Sequence, residues 1–135
     1  MAFIKLNIGV IDFMNGDLKS STNWIEDSLM LVNNYPKNFE LKQFLVGKIL
    51  GALIILHLIN NNWEKTVEYF QTMVAFVESL KGQRRANVLQ SILFQMFRFS
   101  GFGGVRDADV ERIEELCKKN KINYYMRRSI MGFDK

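Results

Sequence analysis

The sequence predicts a mainly α-helical single domain over residues 1–135, a compact bundle of five or six short antiparallel helices. Apolar residues make up 48% of the chain, which is enough to bury a core. Along most of the chain they recur at spacings of three and four, as on the buried face of a helix. One Pro and nine Gly interrupt them, and the short connectors favour antiparallel neighbours over separate domains.

Residues 3–14 fit two structures. Apolar and other residues alternate there, which is the period of a strand. The apolar positions of this alternation are Ile4, Leu6, Ile8 and Val10. A helical stripe fits as well, but Asn7 and Gly9 disfavour a helix, so we predict a strand. A strand needs a partner. A small β element could form with residues 122–133 of the same chain, which otherwise fit a last helix, or the partner could be a second copy of the chain.

The first clear helix follows the turn that Asn15-Gly16-Asp17 predicts. Asn23 begins a pattern typical of a capped helix start. This helix should close at Asn33–Pro36, because the residue before a proline disfavours helical backbone. Asn38 is a candidate cap for the next helix, which should run to about Ile59.

That next helix contains the most apolar run of the chain, Phe44–Ile59. Lys48 and His57 interrupt the run, and it is shorter than the roughly 20 apolar residues that a membrane span needs. We therefore predict a helix buried on all sides of a core and no membrane span. The spacing Gly47-x-x-x-Gly51 is typical of close helix–helix approach.

Asn62 is a candidate cap for the cleanest amphipathic helix, whose apolar residues recur in steps of four and three from Trp63 onward. We expect Trp63 to be buried between the two central helices. Gly82 should end this helix.

Two more helices are predicted beyond it. One covers residues 84–99 and should break at the Gly-rich segment 100–104. The other is capped by Asp107 and carries acidic residues in its first turn and lysines in its last, as the helix dipole favours.

Residues 62–70, Asn-Trp-Glu-Lys-Thr-Val-Glu-Tyr-Phe, resemble the BH1 motif of Bcl-2-like helical proteins. The likeness lies in the Asn-Trp start, the apolar Val67 and the aromatic pair that follows. The segment departs from the motif at Glu64-Lys65, where that family places Gly-Arg. The arginine that contacts BH3 peptides in that family therefore has no counterpart, so the resemblance does not predict groove binding. We assign no family from this short segment.

No set of residues typical of catalysis, metal binding or cofactor binding stands out. Cys117 and His57 are the sole Cys and His, and their apolar surroundings predict structural roles for both. The carboxylates fall on solvated faces rather than in pairs. Segment 100–104 precedes Asp107, whose carboxylate would occupy the place of a phosphate at the helix start. We therefore expect a connector there, and no cofactor and no metal.

Positive charge is concentrated in residues 81–135, which hold 12 basic and six acidic residues and all seven arginines. Basic side chains beside aromatic rings suit single-stranded nucleic acid, because the cations hold phosphates while the rings stack on bases. The candidate nucleic-acid-binding residues are Lys81, Arg84, Arg85, Lys118, Lys119, Lys121, Tyr124, Tyr125, Arg127 and Arg128.

These observations favour a non-catalytic adaptor, accessory or regulatory protein that presents a helical surface to itself, as a homo-oligomer, and to another protein. The alternative is binding of RNA or single-stranded nucleic acid through the basic C-terminal region, and an enzyme comes third. We expect an intracellular, cytoplasmic location, with the nucleus left open, because no targeting segment is evident. The candidate interface residues are Phe3, Ile4, Leu6, Ile8 and Trp63.

Overall fold

A computed structural model of the chain describes residues 1–36, 41–103 and 105–122, and these residues form helices joined by short connectors. The helices are α1 (Ala2–Met14), α2 (Leu18–Asn33), α3 (Lys42–Ile59), α4 (Trp63–Glu78), α5 (Gly82–Gly103) and α6 (Asp107–Lys119). The prediction of a mainly helical fold is confirmed. No strand occurs within these ranges, so the predicted β element at the N-terminus is wrong. Residues 123–133 of the C-terminal candidate, and Asn38, lie outside the described residues.

The N-terminal segment is a helix because its apolar residues are buried at helical spacing. They are Ala2, Leu6, Gly9 and Phe13. Gly9 lies against α2, where an added Cβ would come within 2.5 Å of the Ile25 side chain. The Gly9 carbonyl also accepts a hydrogen bond of 2.7 Å from the Ser21 hydroxyl. This close packing outweighs the low helix propensity of glycine, which had favoured the strand.

The second helix begins earlier than predicted. The turn before it is confirmed, with Gly16 at φ +84°, but the helix start lies at Leu18 rather than after Asn23. Asp17 is the cap, because its carboxylate accepts a hydrogen bond of 3.1 Å from the Ser20 amide. Asn23 is an exposed residue within the helix.

The third helix is buried on all sides, as its apolar run predicts. Every residue from Leu45 to Leu58 except Lys48 is buried, and α2, α4 and α5 all pack against the helix. Gly47 and Gly51 both face α5. A Cβ on Gly51 would come within 2.8 Å of the Ile92 carbonyl oxygen, so the backbones of α3 and α5 approach closely at this glycine.

The fourth helix starts as predicted, and its buried line shares Phe70 and Val77 with the predicted apolar stripe. The Asn62 side chain caps it by accepting a hydrogen bond of 3.2 Å from the Lys65 amide. Its buried residues are Thr66, Phe70, Met73 and Val77. Trp63 is only half-buried, and its ring is covered by the Arg112 guanidinium of α6, 3.7 Å from the ring centroid. The expectation that Trp63 fills the space between the central helices is therefore wrong, because the smaller Thr66 points inward instead.

The last two helices differ from the predictions at their ends. Gly82, at φ +61°, begins α5 rather than ending α4, which stops at Glu78. The Gly-rich segment does not break α5 at Ser100, whose buried hydroxyl donates a hydrogen bond of 2.7 Å to the Met96 carbonyl. In α6 the charge pattern is as predicted, although Arg106 occupies the cap position.

We predict that Gly51→Ala lowers the free energy of unfolding by about 1–3 kcal/mol, because the added methyl group meets a backbone carbonyl that cannot rotate away. Urea denaturation measures the change. The matched control is Gly101→Ala in α5, where no atom lies within 4 Å of the added Cβ and stability should stay the same or rise by about 0.5–1 kcal/mol. Equal stability of the two variants would contradict the close packing of α3 and α5.

Candidate functional site

The first helix carries apolar residues on its solvent side as well as on its buried side. Its outer face, which consists of Phe3, Ile4, Ile11 and Met14, leaves each of these side chains 55–60% exposed. Asn7 is a polar but uncharged neighbour. A solvated helix face usually carries charged residues, whereas a contiguous exposed apolar face is typical of a surface that another molecule covers.

The two charged side chains of α1 are engaged with α2. Lys5 Nζ lies 3.6 Å from the Asp27 carboxylate and 5.4 Å from the centroid of the Trp24 ring. Asp12 accepts a hydrogen bond of 2.5 Å from the Ser20 hydroxyl. Because both charges are bound at the side of α1 that meets α2, the outer face of α1 carries no charged side chain.

The structure separates the residues that the sequence grouped as a candidate interface. Phe3 and Ile4 belong to the outer face of α1, but Leu6 is buried in the core and Ile8 is half-buried. Trp63 contacts α6 instead. The strand prediction left Ile11 and Met14 out of the candidate interface, because only helical spacing places them on the same face as Ile4.

Two basic clusters that lie about 30 residues apart in the sequence meet at one end of the bundle. We call them together the basic end, and all of its residues are exposed. They are Lys81, Arg84, Arg85, Lys118, Lys119 and Lys121. Arg85 and Lys121 line the same cavity of about 410 Å³, to which Glu78 contributes a carboxylate.

In the described ranges, no residue of the basic end forms an ion pair. Arg84 donates a hydrogen bond of 2.7 Å to the side-chain oxygen of Gln43, which is neutral. The basic end therefore keeps its positive charge. The other candidate nucleic-acid contacts, Tyr124, Tyr125, Arg127 and Arg128, lie outside the described residues.

Three polar side chains from α2, α3 and α4 meet at the C-terminal end of α3. A single carboxylate oxygen of Glu26 accepts a hydrogen bond of 2.9 Å from the Tyr69 hydroxyl and lies 3.3 Å from His57 Nε2. The His57 and Tyr69 rings stack with centroids 5.4 Å apart. Burial, together with the Glu26 carboxylate, raises the pKa of Tyr69 above its ordinary value. The phenol therefore stays protonated, and the cluster connects three helices without supplying an activated nucleophile.

Cys117 is buried in α6, as predicted. Burial raises the pKa of its thiol to about 12, and the nearby Glu114 carboxylate adds to the effect. A reactive thiol needs the opposite shift. Among the residues that the structure describes, no group of three or more His, Cys, Asp and Glu side chains is placed to hold a metal ion.

One described helix, Lys42–Ile59, is long and apolar enough to cross a membrane by length and composition alone. Of this segment 72% is buried inside the bundle, and the core helix of a soluble protein has the same properties. The absence of a membrane span stays a prediction.

Comparisons with protein-family models, with curated proteins and with solved structures found no match. The segment that resembles a BH1 motif forms the start of α4, and no family is assigned to the chain.

We predict that Cys117 does not react with a thiol reagent such as 5,5′-dithiobis(2-nitrobenzoic acid) at pH 8 in the folded protein, because the thiol is buried and protonated there. The same thiol should react at once in urea. Since the folded pKa exceeds the unfolded value, the unfolded chain loses its proton first as the pH rises above about 8.5. The contribution of this group to stability should then fall between that pH and about 12. Rapid labelling of the native protein would contradict the burial of Cys117.

Proposed function

We propose that this chain is a non-catalytic protein-interaction protein that forms a homodimer through the outer face of α1. The observation that carries the proposal is the uncharged apolar surface of Phe3, Ile4, Ile11 and Met14, all more than half exposed. Leaving such a surface in water has a free-energy cost that association removes. The other helical surfaces of the dimer would stay available to a different protein partner.

The size of this face fits a small dimer interface. A standard interface buries about 800 Å² per partner, of which about 65% is apolar in homodimers, or roughly 500 Å². Large apolar side chains that are more than half exposed offer on the order of 100 Å² each. The four residues of the outer face therefore supply most of the apolar area that each partner needs.

The absence of charged side chains on this face favours a second copy of the chain as the occupant. In a two-fold dimer, residues near the axis meet the same residues of the partner. Charged residues there would repel their own copies, whereas apolar side chains do not. Asn7 also suits this symmetry, because an amide can both donate a hydrogen bond and accept one.

We predict a mass of about twice 15.8 kDa by light scattering during size exclusion at micromolar concentration. Ile11→Glu should convert this dimer to a monomer, since it places two like charges in an apolar contact. The control is Ala75→Glu, which adds the same charge at an exposed position of α4 and should leave the mass unchanged. A wild-type monomer, or an Ile11→Glu variant that stays dimeric, would contradict the proposed interface.

The second candidate function is binding of RNA or single-stranded nucleic acid at the basic end. It is favoured by the meeting of two distant basic clusters around one cavity, without ion pairs to described carboxylates. Uncompensated cations on one surface attract a phosphate backbone. The Glu78 carboxylate in the same cavity opposes this attraction, which is why self-association remains the leading proposal.

If the basic end binds a single strand, replacing both Arg85 and Lys121 with Ala should weaken the binding of a labelled oligouridylate. It should also lower the slope of log affinity against log salt by about one unit per lost phosphate contact. Fluorescence anisotropy at several salt concentrations measures both. The matched control replaces Lys19 and Arg98, an exposed Lys and Arg outside the basic end, and should leave the slope unchanged. No binding at low salt, or equal slopes for the two double variants, would remove this candidate.

A further inference from the structure

A separate apolar cavity of about 270 Å³ opens between the N-terminal ends of α1 and α3. Its lining residues are Phe3, Tyr35, Leu41, Phe44, Leu45 and Lys48. Five of them present aromatic or aliphatic groups, and Lys48 supplies the positive charge. The volume lies just below the usual range of small-molecule sites, so the cavity suits a small ligand.

Helical spacing places the apolar wall and the cation together. Leu41, Leu45 and Lys48 are separated by four and three residues, so they lie on one face of the first turns of α3. Lys48 is exposed, whereas Gly47 and Ile49, which flank it in α3, are buried. The ammonium group therefore lies where the apolar cavity meets water.

Lys48 has no acidic partner in the described part of the chain. Among the described residues, no ion pair or hydrogen bond involves its ammonium group. Lys42, one turn and a half earlier, differs because its ammonium group donates hydrogen bonds to the carbonyls of Tyr35 and Asn33 at 2.9 and 3.4 Å. Lys48 is thus the side-chain cation of the cavity lining that can pair with a ligand.

We propose that this cavity binds a medium-chain fatty acid, with the alkyl chain among Phe3, Phe44 and Leu45 and the carboxylate at Lys48. An apolar wall with the Lys48 ammonium at its edge matches a ligand with an apolar tail and a single negative charge. The Met1 ammonium, 3.4 Å from the hydroxyl of the lining residue Tyr35, adds positive charge near the same cavity. A cavity of about 270 Å³ has room for an alkyl chain of moderate length but is smaller than most sites for drug-sized ligands. A nucleotide or sugar phosphate would need several more hydrogen-bond donors than this lining offers.

The proposal does not depend on the dimer, although Phe3 contributes to both surfaces. The other contacts of the ligand, above all Lys48, do not belong to the outer face of α1. Conversely, Ile11 of that face does not line the cavity. Variants at Lys48 and at Ile11 therefore test the two proposals separately.

Calorimetric titration with decanoate, below the concentration at which it forms micelles, tests the proposal. Lys48→Met should weaken decanoate binding roughly three- to fivefold, as expected for an exposed ion pair, and Lys48→Glu should weaken it further. Neither change should affect the binding of decanol, which has the same chain without the charge. Lys81→Met, which removes another exposed lysine without an ion pair, should leave decanoate binding unchanged.

Chain length and spectroscopy locate the ligand. From hexanoate to octanoate the affinity should rise about tenfold, because two more methylene groups are buried, and the gain should stop once the cavity is full. Decanoate should shift the methyl resonances of Leu41 and Leu45 and leave those of Ile11 unchanged. An affinity that keeps rising with chain length, or a Lys48→Glu variant that binds decanoate like the wild type, would overturn the proposal. If neither the wild type nor Ile11→Glu binds decanoate, the proposal is wrong whether or not the protein dimerises.

Discussion

The fold depends on a helix that has no polar face. Since nearly every residue of α3 from Leu45 to Leu58 is buried, this helix must be covered on several sides at once, and α2, α4 and α5 do so. Each fully buried Leu or Ile stabilises the fold by about 1.5–3 kcal/mol. Gly51 allows the backbone of α5 to come so close that an added methyl group would meet the Ile92 carbonyl, and Gly47 leaves room for the side chains of Val88 and Ile92. Both helices run in the same direction, because Gln43 meets Arg84 at their starts while Gly51 meets Gln95 further along.

Two groups of polar side chains in and around this core connect packed elements through hydrogen bonds and ion pairs. The Glu26 carboxylate holds His57 and Tyr69, so one acidic group connects α2, α3 and α4. Asp109 is buried in α6 and pairs with Arg106 and Arg112. Among the residues that the structure describes, the pKa values of Tyr69 and Cys117 are both raised, which favours the protonated, unreactive form of each group.

The sequence predicts those elements for which one local signal dominates. Three such signals each predicted a helix correctly. They are the apolar run of α3, the Asn62 cap of α4 and the charge pattern of α6. The N-terminal helix was missed because Gly9 is required there by its packing against Ile25 and its hydrogen bond from Ser21, both in α2. Local helix propensity does not include such contacts with another helix. The continuation of α5 past residue 100 was also missed, because a Gly-rich segment locally predicts a break. Tertiary packing lies at this end of the helix instead, where Phe99 and Ser100 are buried and Phe99 stacks on Phe13 of α1.

The candidate surface results from which residues of α1 face the core and which face solvent. The sequence alone predicts only part of this arrangement. The inner residues of α1 pack on the core, and its charges at Lys5 and Asp12 are bound at the side that meets α2. The solvent-facing side of α1 is therefore apolar. This arrangement requires that the segment is a helix packed against α2. Phe3 then takes part in two surfaces, the outer face of α1 and the wall of the cavity at the start of α3. A ligand in that cavity and a second copy on α1 would both contact Phe3, so this side chain is where the two binding events could influence one another.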